Sequence, residues 1–289
     1  MLIRSLLFAP GNQPDLLKKF PRFDADAFVI DLEDGTPEAE KAPARQQLAD
    51  TVTYLRDQRL RGLLFVRTNG LSSPQIDADL EAALRADIDG LVIPKVGGAA
   101  DVRRFGAALI DAERKGRPLA LVGLIESAIG VINVQAVAGA DSHLRALAFG
   151  GEDFISDVGG RRTAEGLEVL YARSQVVLAA KAAGLSAIDQ VVVDIRDDDQ
   201  FRRDAIVGRN LGYDGKMCLR PRQVDLANEV FSPTPEEIDR SRRVIAACEL
   251  AAAEGRGVID FEGRMIDPPL LSRARAVLEL ASRIRGGAA

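Results

Sequence analysis

Three acidic clusters each stand at the downstream end of an apolar run: Ile30-Asp31-Leu32-Glu33-Asp34, Leu124-Ile125-Glu126 and Phe149-Gly150-Gly151-Glu152-Asp153. The chain holds 43 Asp and Glu residues but one His and two Cys, so its chemistry has to run on carboxylates, arginine and a hard metal ion. Carboxylates at strand ends suit Mg²⁺, with Mn²⁺ a second choice, because such ions take oxygen ligands and keep positions open for substrate oxygens. Glu126 and Asp153 are the best candidates for metal ligands, since each follows apolar residues and is presented beyond a buried stretch. The bland alternative is that Glu126 caps the next helix and Asp153 pairs with Arg161 or Arg162. Arg67, after Leu63-Leu64-Phe65-Val66, can grip a substrate carboxylate with two prongs and neutralise oxyanion charge, or it can bridge to Glu33 or Asp34. A single divalent ion would be over-charged by four carboxylates, so Glu33, Asp34 and Glu152 are expected to support the site rather than ligate.

Other reactive groups carry less. Lys95 in Ile93-Pro94-Lys95 could form a Schiff base, but a solvated or ion-paired lysine is the plainer reading. His143 precedes a strand, on the face of a barrel that serves stability. With the one His on that face, a Ser-His-Asp triad is excluded, and a His-rich zinc site lacks its ligands. Asp267, before Pro268-Pro269, reads locally as a helix N-cap.

The elements that must position these residues are short apolar runs alternating with helical segments. Eight strands are expected, at Arg4–Ala9, Ala27–Leu32, Leu63–Arg67, Gly90–Pro94, Ala120–Ile125, Leu144–Phe149, Gln190–Ile195 and Gly215–Leu219. A helix from Leu167 to Ala183 places Leu167, Leu170, Ser174, Val177, Leu178 and Lys181 on one mostly apolar stripe. Eight strands alternating with helices predict an α/β fold, a (β/α)₈ TIM barrel over residues 1–231. No Gly-rich dinucleotide fingerprint follows the first strand, which removes the open-sheet rival. A helical extension over 232–289 follows. It opens on the Thr234/Glu237 capping box, breaks at Gly255–Gly257 and resumes at Pro268-Pro269. In barrels of this kind the strands' C-terminal ends form the active face, and there the three clusters and Arg67 converge.

Bulk properties exclude several classes. Net charge is −5 and no Lys/Arg run exceeds a pair, so no nucleic-acid footprint is present. No apolar stretch reaches the roughly 18 residues of a membrane span. Two cysteines make no disulfide framework, and a reducing cytoplasm is the expected compartment.

In order along the chain, Arg4-Ser-Leu-Leu-Phe-Ala-Pro-Gly11, Val29-Ile-Asp-Leu-Glu-Asp-Gly35, Phe65-Val-Arg-Thr-Asn69, Val92-Ile-Pro-Lys95, Gly123-Leu-Ile-Glu126, Phe149-Gly-Gly-Glu-Asp153, Leu167-Glu-Val-Leu-Tyr-Ala-Arg173 and Phe261-Glu-Gly-Arg-Met-Ile-Asp267 resemble the citrate lyase β-subunit-like family, within the HpcH-type aldolase and citrate lyase superfamily. The resemblance implies a barrel that assembles as a homotrimer or a hexamer. It implies Mg²⁺ on Glu126 and Asp153, substrate contact by Arg67 and Glu126, and a catalytic Asp267 reaching a neighbouring protomer's site. It further implies carbon–carbon cleavage of a 3-hydroxy-acyl thioester on CoA or an acyl carrier protein (citramalyl-CoA, malyl-CoA or a citryl thioester) to a 2-keto acid or oxaloacetate and an acyl thioester. The loop after the first strand, with Arg4, Lys18 and Lys19, is the expected CoA contact. Rival readings are a metal-dependent pyruvate aldolase on free hydroxy-keto acids, a non-catalytic acyl-CoA-binding paralogue, and a thioesterase or malate-synthase-like activity on the same site. One departure stands out: Leu219-Arg220-Pro221-Arg222-Gln223 replaces the family's usual Ile-His-Pro-x-Gln.

Overall fold

The computed structural model describes residues 1–113, 116, 118–253 and 259–287. Eight strands pair in chain order and close on themselves as a barrel: β1 (Ser5–Pro10), β2 (Ala27–Asp31), β3 (Leu63–Arg67), β4 (Gly90–Ile93), β5 (Ala120–Ile125), β6 (Leu144–Phe149), β7 (Ser186–Asp189) and β8 (Gly215–Cys218). Every pairing is parallel, including the closing one of β1 with β8. Helices occupy each crossover: α1 (Pro14–Leu17), α2 (Lys41–Asp57), α3 (Ile76–Arg85), α4 (Ala99–Glu113), α5 (Ala128–Ile132) with α6 (Val134–Ala138), α7 (Gly151–Asp157) with α8 (Leu167–Ala182), and α9 (Asp198–Leu211), while α10 (Pro221–Val230) follows the last strand. This is the (β/α)₈ barrel that the alternating pattern predicts.

Side chains alternate across each strand, so one parity fills the barrel and the other packs beneath the helices. Leu6, Val29, Phe65, Val92, Val122, Leu124, Ala148, Ile188 and Met217 form the interior. Continued one step past the core, the same parity turns Asp31, Arg67, Glu126 and Gly150 toward the barrel axis at the strands' C-terminal ends. The fold therefore converts a period of two into a cluster of charges at one mouth.

Two sequence expectations are corrected. The seventh strand is Ser186–Asp189, not Gln190–Ile195. Gly184, at φ +70°, ends α8, and the chain enters the barrel at once, with Ser186 in register beside Ala146. The Val-rich run beyond it is loop, and Val193 and Ile195 are exposed. On α8 the buried face is Val169, Ala172, Arg173, Val176 and Ala180, whereas of the predicted stripe only Val177 is buried. Periodicity finds a stripe but not its phase. Here the phase is set by a charged pair: Arg173, 2% exposed, binds Asp189 of β7 through its Nε at 2.8 Å and Asp204 of α9 through Nη1 at 3.0 Å.

The described chain divides into two compact units, Met1–Glu229 and Val230–Ala289. The second holds α11 (Pro235–Ala253), the hairpin of β9 (Ile259–Phe261) and β10 (Arg264–Ile266), and α12 (Pro268–Gly287). The capping box opens α11 as predicted: Thr234 N–H donates to Glu237 Oε2 (2.9 Å) and Glu237 N–H to Thr234 Oγ1 (3.1 Å). Val244, Ala251, Ile266 and Ala274 form this unit's own small core. The predicted break at Gly255–Gly257 lies outside the described residues. No helix among the described residues is long and apolar enough to cross a membrane.

Candidate active site

Asp31 and Arg67 end neighbouring strands in direct register. The Asp31 carboxylate accepts from Arg67 Nε (2.7 Å) and Nη2 (2.6 Å), and from the backbone N–H groups of Glu33 (2.9 Å) and Gly35 (2.8 Å). Burial alone would raise the Asp31 carboxyl, but Arg67's charge and these donors outweigh it and hold it below its ordinary value. Arg67, its side chain 13% exposed, is kept firmly cationic by Asp31 and Glu33. Its guanidinium also lies over the Phe8 ring, 5.4 Å from the centroid, which fixes its plane.

Glu33 stands between two cations. Its Oε1 accepts from Lys95 Nζ at 2.6 Å, and Oε2 lies 3.1 Å from Arg67 Nη1 without hydrogen-bond alignment. Burial raises the Glu33 carboxyl, and Arg67 and Lys95 only partly offset that. Lys41, also buried, anchors the loop behind it: its ammonium donates to the carbonyls of Leu32 (2.9 Å) and Glu33 (3.0 Å) and to Asn69 Oδ1 (2.6 Å). Asp34 is half-exposed, 3.7 Å from Lys95 Nζ.

Glu126 continues β5 and is only 3% exposed. Its Oε1 accepts the backbone N–H of Lys95 at 2.7 Å, while the cap of α5 is Ser127, whose Oγ accepts from Gly130 N–H. Burial first, then the charges of Asp153 and Glu33, push the Glu126 carboxyl up to about 8. Asp153 sits in the first turn of α7, just after Gly150 crosses beside Glu126; a Cβ on Gly150 would lie 2.6 Å from Glu126 Oε2. Among the described residues Asp153 forms no hydrogen bond or ion pair, for Arg162 binds Glu152 and Glu168 instead. Burial and the nearby Asp34 raise its carboxyl too.

Two hard-oxygen donors, one buried and one without a hydrogen-bond or ion-pair partner among the described residues, thus crowd together beside a fixed guanidinium. That donor set fits a divalent cation bound by two carboxylates and completed by water and substrate oxygens. No three His, Cys, Asp or Glu side chains form a ready cage among the described residues, so Glu126 and Asp153 could hold such an ion only as an open pair.

The other predicted positions have partners of their own. Asp267 belongs to the second unit, where its Oδ1 caps α12 by accepting from Leu270 N–H at 3.1 Å. Arg4 lies at the N-terminal end of β1, the opposite barrel face, and grips Asp26 (Nε to Oδ2, 2.8 Å; Nη2 to Oδ1, 2.7 Å), which corrects its expected role as a phosphate contact. Lys18, at the end of α1, lies over the Tyr54 ring of α2. Arg220, the departure from the family motif, pairs with Asp198, and Arg222 shares that carboxylate at 2.9 Å. His143 sits against Asp141, with Nδ1 2.5 Å from Oδ1.

Sequence reading missed Asp31 as the partner of Arg67, although both are last residues of adjacent strands and the register alone points to it. Gln190 was also missed. It lies buried at the end of β7, donates to Asp204 Oδ1 at 3.3 Å and leaves its Oε1 unpartnered against Gly151.

A profile of the HpcH/HpaI aldolase/citrate lyase family matches residues 4–221. The chain is 44% identical to the citrate lyase subunit beta-like protein of Deinococcus radiodurans over 96% of both chains. It is 36% identical to the mitochondrial citramalyl-CoA lyase of Homo sapiens, covering 98% of this chain and 86% of that one. Among solved structures, CitE of Mycobacterium tuberculosis in complex with magnesium, acetoacetate and coenzyme A aligns with a TM-score of 0.82 at 30% identity, over 97% of this chain and 98% of that one.

Proposed function

The chain belongs to the HpcH/HpaI aldolase/citrate lyase family and is a carbon–carbon lyase, and from that premise we propose that it cleaves a 3-hydroxy-acyl thioester of the citramalyl-CoA, malyl-CoA or citryl type. The products are a 2-keto acid or oxaloacetate and an acyl thioester. The observation that carries this reading is the crowding of buried Glu126 beside Arg67 with Asp153, which forms no hydrogen bond or ion pair among the described residues. The magnesium and coenzyme A of the CitE complex support it.

In this proposal Glu126 and Asp153 hold Mg²⁺, and Mn²⁺ in its place where available. The bound ion would supply Lewis acidity toward the hydroxy acid's carboxylate and hydroxyl oxygens. The hydroxyl proton passes to solvent, the carbon–carbon bond breaks to leave the 2-keto group, and its electron pair becomes the enolate of the acyl thioester. Arg67, held by Asp31 and Glu33, offers a rigid cation to the oxygen on which charge collects. Glu33, Asp34 and Glu152 serve as supports around these groups. Asp267 protonates the enolate carbon, and removes that proton in the condensing direction. It acts from the 232–289 extension of a neighbouring copy in a homotrimer or hexamer, and the working compartment is the cytoplasm.

The test combines calorimetry with a keto-acid assay. Malyl-, citramalyl- and citryl-thioesters are incubated with the protein and Mg²⁺, with and without EDTA. One thioester should release keto acid in an EDTA-sensitive way, and Glu126→Ala and Asp153→Ala should abolish both that release and Mg²⁺ binding with an unchanged circular dichroism spectrum. Full activity in either variant sinks the assignment. Release from free hydroxy-keto acids alone would mark a pyruvate aldolase.

A further inference from the structure

Lys95 is one of three residues other than glycine, among those described, with a positive φ, at 54°. An ordinary side chain resists that left-handed conformation, so a neighbouring interaction has to hold it there. Lys95 adopts it directly after Pro94, where β4 ends. The next residue, Val96, returns its N–H to Leu124 O of β5 at 3.2 Å. The Lys95 N–H leaves the strand ladder and donates to Glu126 Oε1 at 2.7 Å.

The side chain is engaged elsewhere. Its ammonium binds Glu33 Oε1 at 2.6 Å, and the side chain is 49% exposed. Backbone and ammonium therefore address different carboxylates. A main-chain donor has a fixed direction and cannot swing away as a long side chain can. It uses one oxygen of Glu126 and leaves the other, on the Gly150 side, uncommitted.

We propose that Lys95 is a positioning residue for Glu126: its left-handed backbone, not its ammonium, sets which carboxylate oxygen is left for a divalent cation. This rests on the reading of Glu126 and Asp153 as the metal pair. It also explains why a strained residue sits at the end of β4, where an extended chain would carry its N–H away from Glu126.

Three variants separate backbone from charge, because all remove the ammonium. Lys95→Gly and Lys95→Asn tolerate the left-handed region, whereas the β-branched Lys95→Val does not. Mg²⁺ titration by calorimetry should find the Gly and Asn variants within about threefold of the wild type and the Val variant weaker by about tenfold or more, the span expected for a misplaced ligand. Gly and Asn variants as weak as Val would assign the effect to the ammonium and overturn the proposal, and so would a folded Val variant of wild-type affinity. Should the Val variant not fold, the Gly and Asn affinities decide alone. A wild type that binds no Mg²⁺ overturns the metal reading separately. Metal-free crystal structures then decide for Lys95: Glu126 displaced in the Val variant but not in the Gly variant supports the proposal, and Glu126 unmoved in both overturns it.

Discussion

Asp31 and Arg67 face each other across β2 and β3 and are joined by two parallel hydrogen bonds, Nε to Oδ1 at 2.7 Å and Nη2 to Oδ2 at 2.6 Å. A fork held on both prongs has one orientation, and it keeps that orientation without help from substrate. Asp31→Asn leaves a buried guanidinium short of one charge, and the expected loss is about 3–5 kcal/mol of stability, as when one partner of a buried pair is removed. Arg67→Lys keeps the charge but loses the fork. Its kcat/KM should fall by about 10²-fold or more, the order seen when an oxyanion-stabilising donor is removed. Urea melts and steady-state kinetics check both, and a wild-type kcat/KM in Arg67→Lys would refute the oriented-cation role.

The Gly150-Gly151 pair makes a second prediction. A Cβ on Gly150 would lie 2.6 Å from both Cβ and Oε2 of Glu126, and one on Gly151 would lie 2.0 Å from Gln190 Oε1. Neither neighbour is free to retreat, because Glu126 and Gln190 are buried. Gly151→Ala should cost about 1–3 kcal/mol, the range for overpacking a filled interior, and a thermal melt reads it. Gly150→Ala should also lower Mg²⁺ affinity, because Glu126 has to move. Calorimetric affinity equal to that of the wild type would count against Glu126 as a ligand.

Much of this candidate site was legible because strand ends are marked in sequence by the change from apolar to charged residues. That change located Glu126, Asp153 and Arg67, and the parity of the strands explains why three of the mouth's residues point inward together. Less was legible where tertiary pairing overrode local pattern. The Val-rich run after Gln190 resembles a strand better than Ser186-Ala-Ile-Asp189 does, yet barrel closure requires the chain immediately after Gly184. The inward face of α8 is chosen by the buried ion pairs of Arg173, which no apolar periodicity records. The donor to Glu126 is a backbone N–H in a rare conformation, and a residue string carries no sign of it beyond Pro94.

Those buried ion pairs carry a pH dependence. Lys216, fully buried on β8, lies 3.1 Å from Asp189 Oδ2 and also pairs with Asp204, which Arg173 binds as well. Burial would raise the Asp204 carboxyl, but the charges of Lys216 and Arg173 hold it below its ordinary value. A depressed folded pKa stabilises the native state above the unfolded value, near 4, and that stability drains away as pH falls through the folded value. The part of the unfolding free energy that Asp204 contributes should therefore be flat from pH 7 to about 5 and drop steeply below about 4, superimposed on the opposite slope of the raised Glu126 carboxyl, whose contribution to stability falls as pH rises toward 8. Asp204→Asn should start lower and show a shallower acid limb. An acid limb identical to that of the wild type would mean that Asp204 does not contribute this term.

Asp267 offers the sharpest separation of structure from chemistry. Its Oδ1 caps α12 through Leu270 N–H at 3.1 Å, so part of any substitution's effect is structural. Asp267→Ala removes the cap and should cost about 1 kcal/mol. Asp267→Asn keeps a carbonyl oxygen in the capping position and removes only the carboxyl group that could give or take a proton. Its thermal melt should therefore match the wild type. If Asp267 carries the proton to the enolate carbon, turnover in Asp267→Asn should still fall by about 10²–10⁴-fold, the usual contribution of a positioned acid or base. Exchange of α-protons of the acyl thioester product in deuterated water isolates that step from carbon–carbon cleavage. The wild type should wash deuterium in, and the Asn variant should not. Full exchange and turnover in a stable Asn variant would reduce Asp267 to its cap, and the proton would have to come from another group.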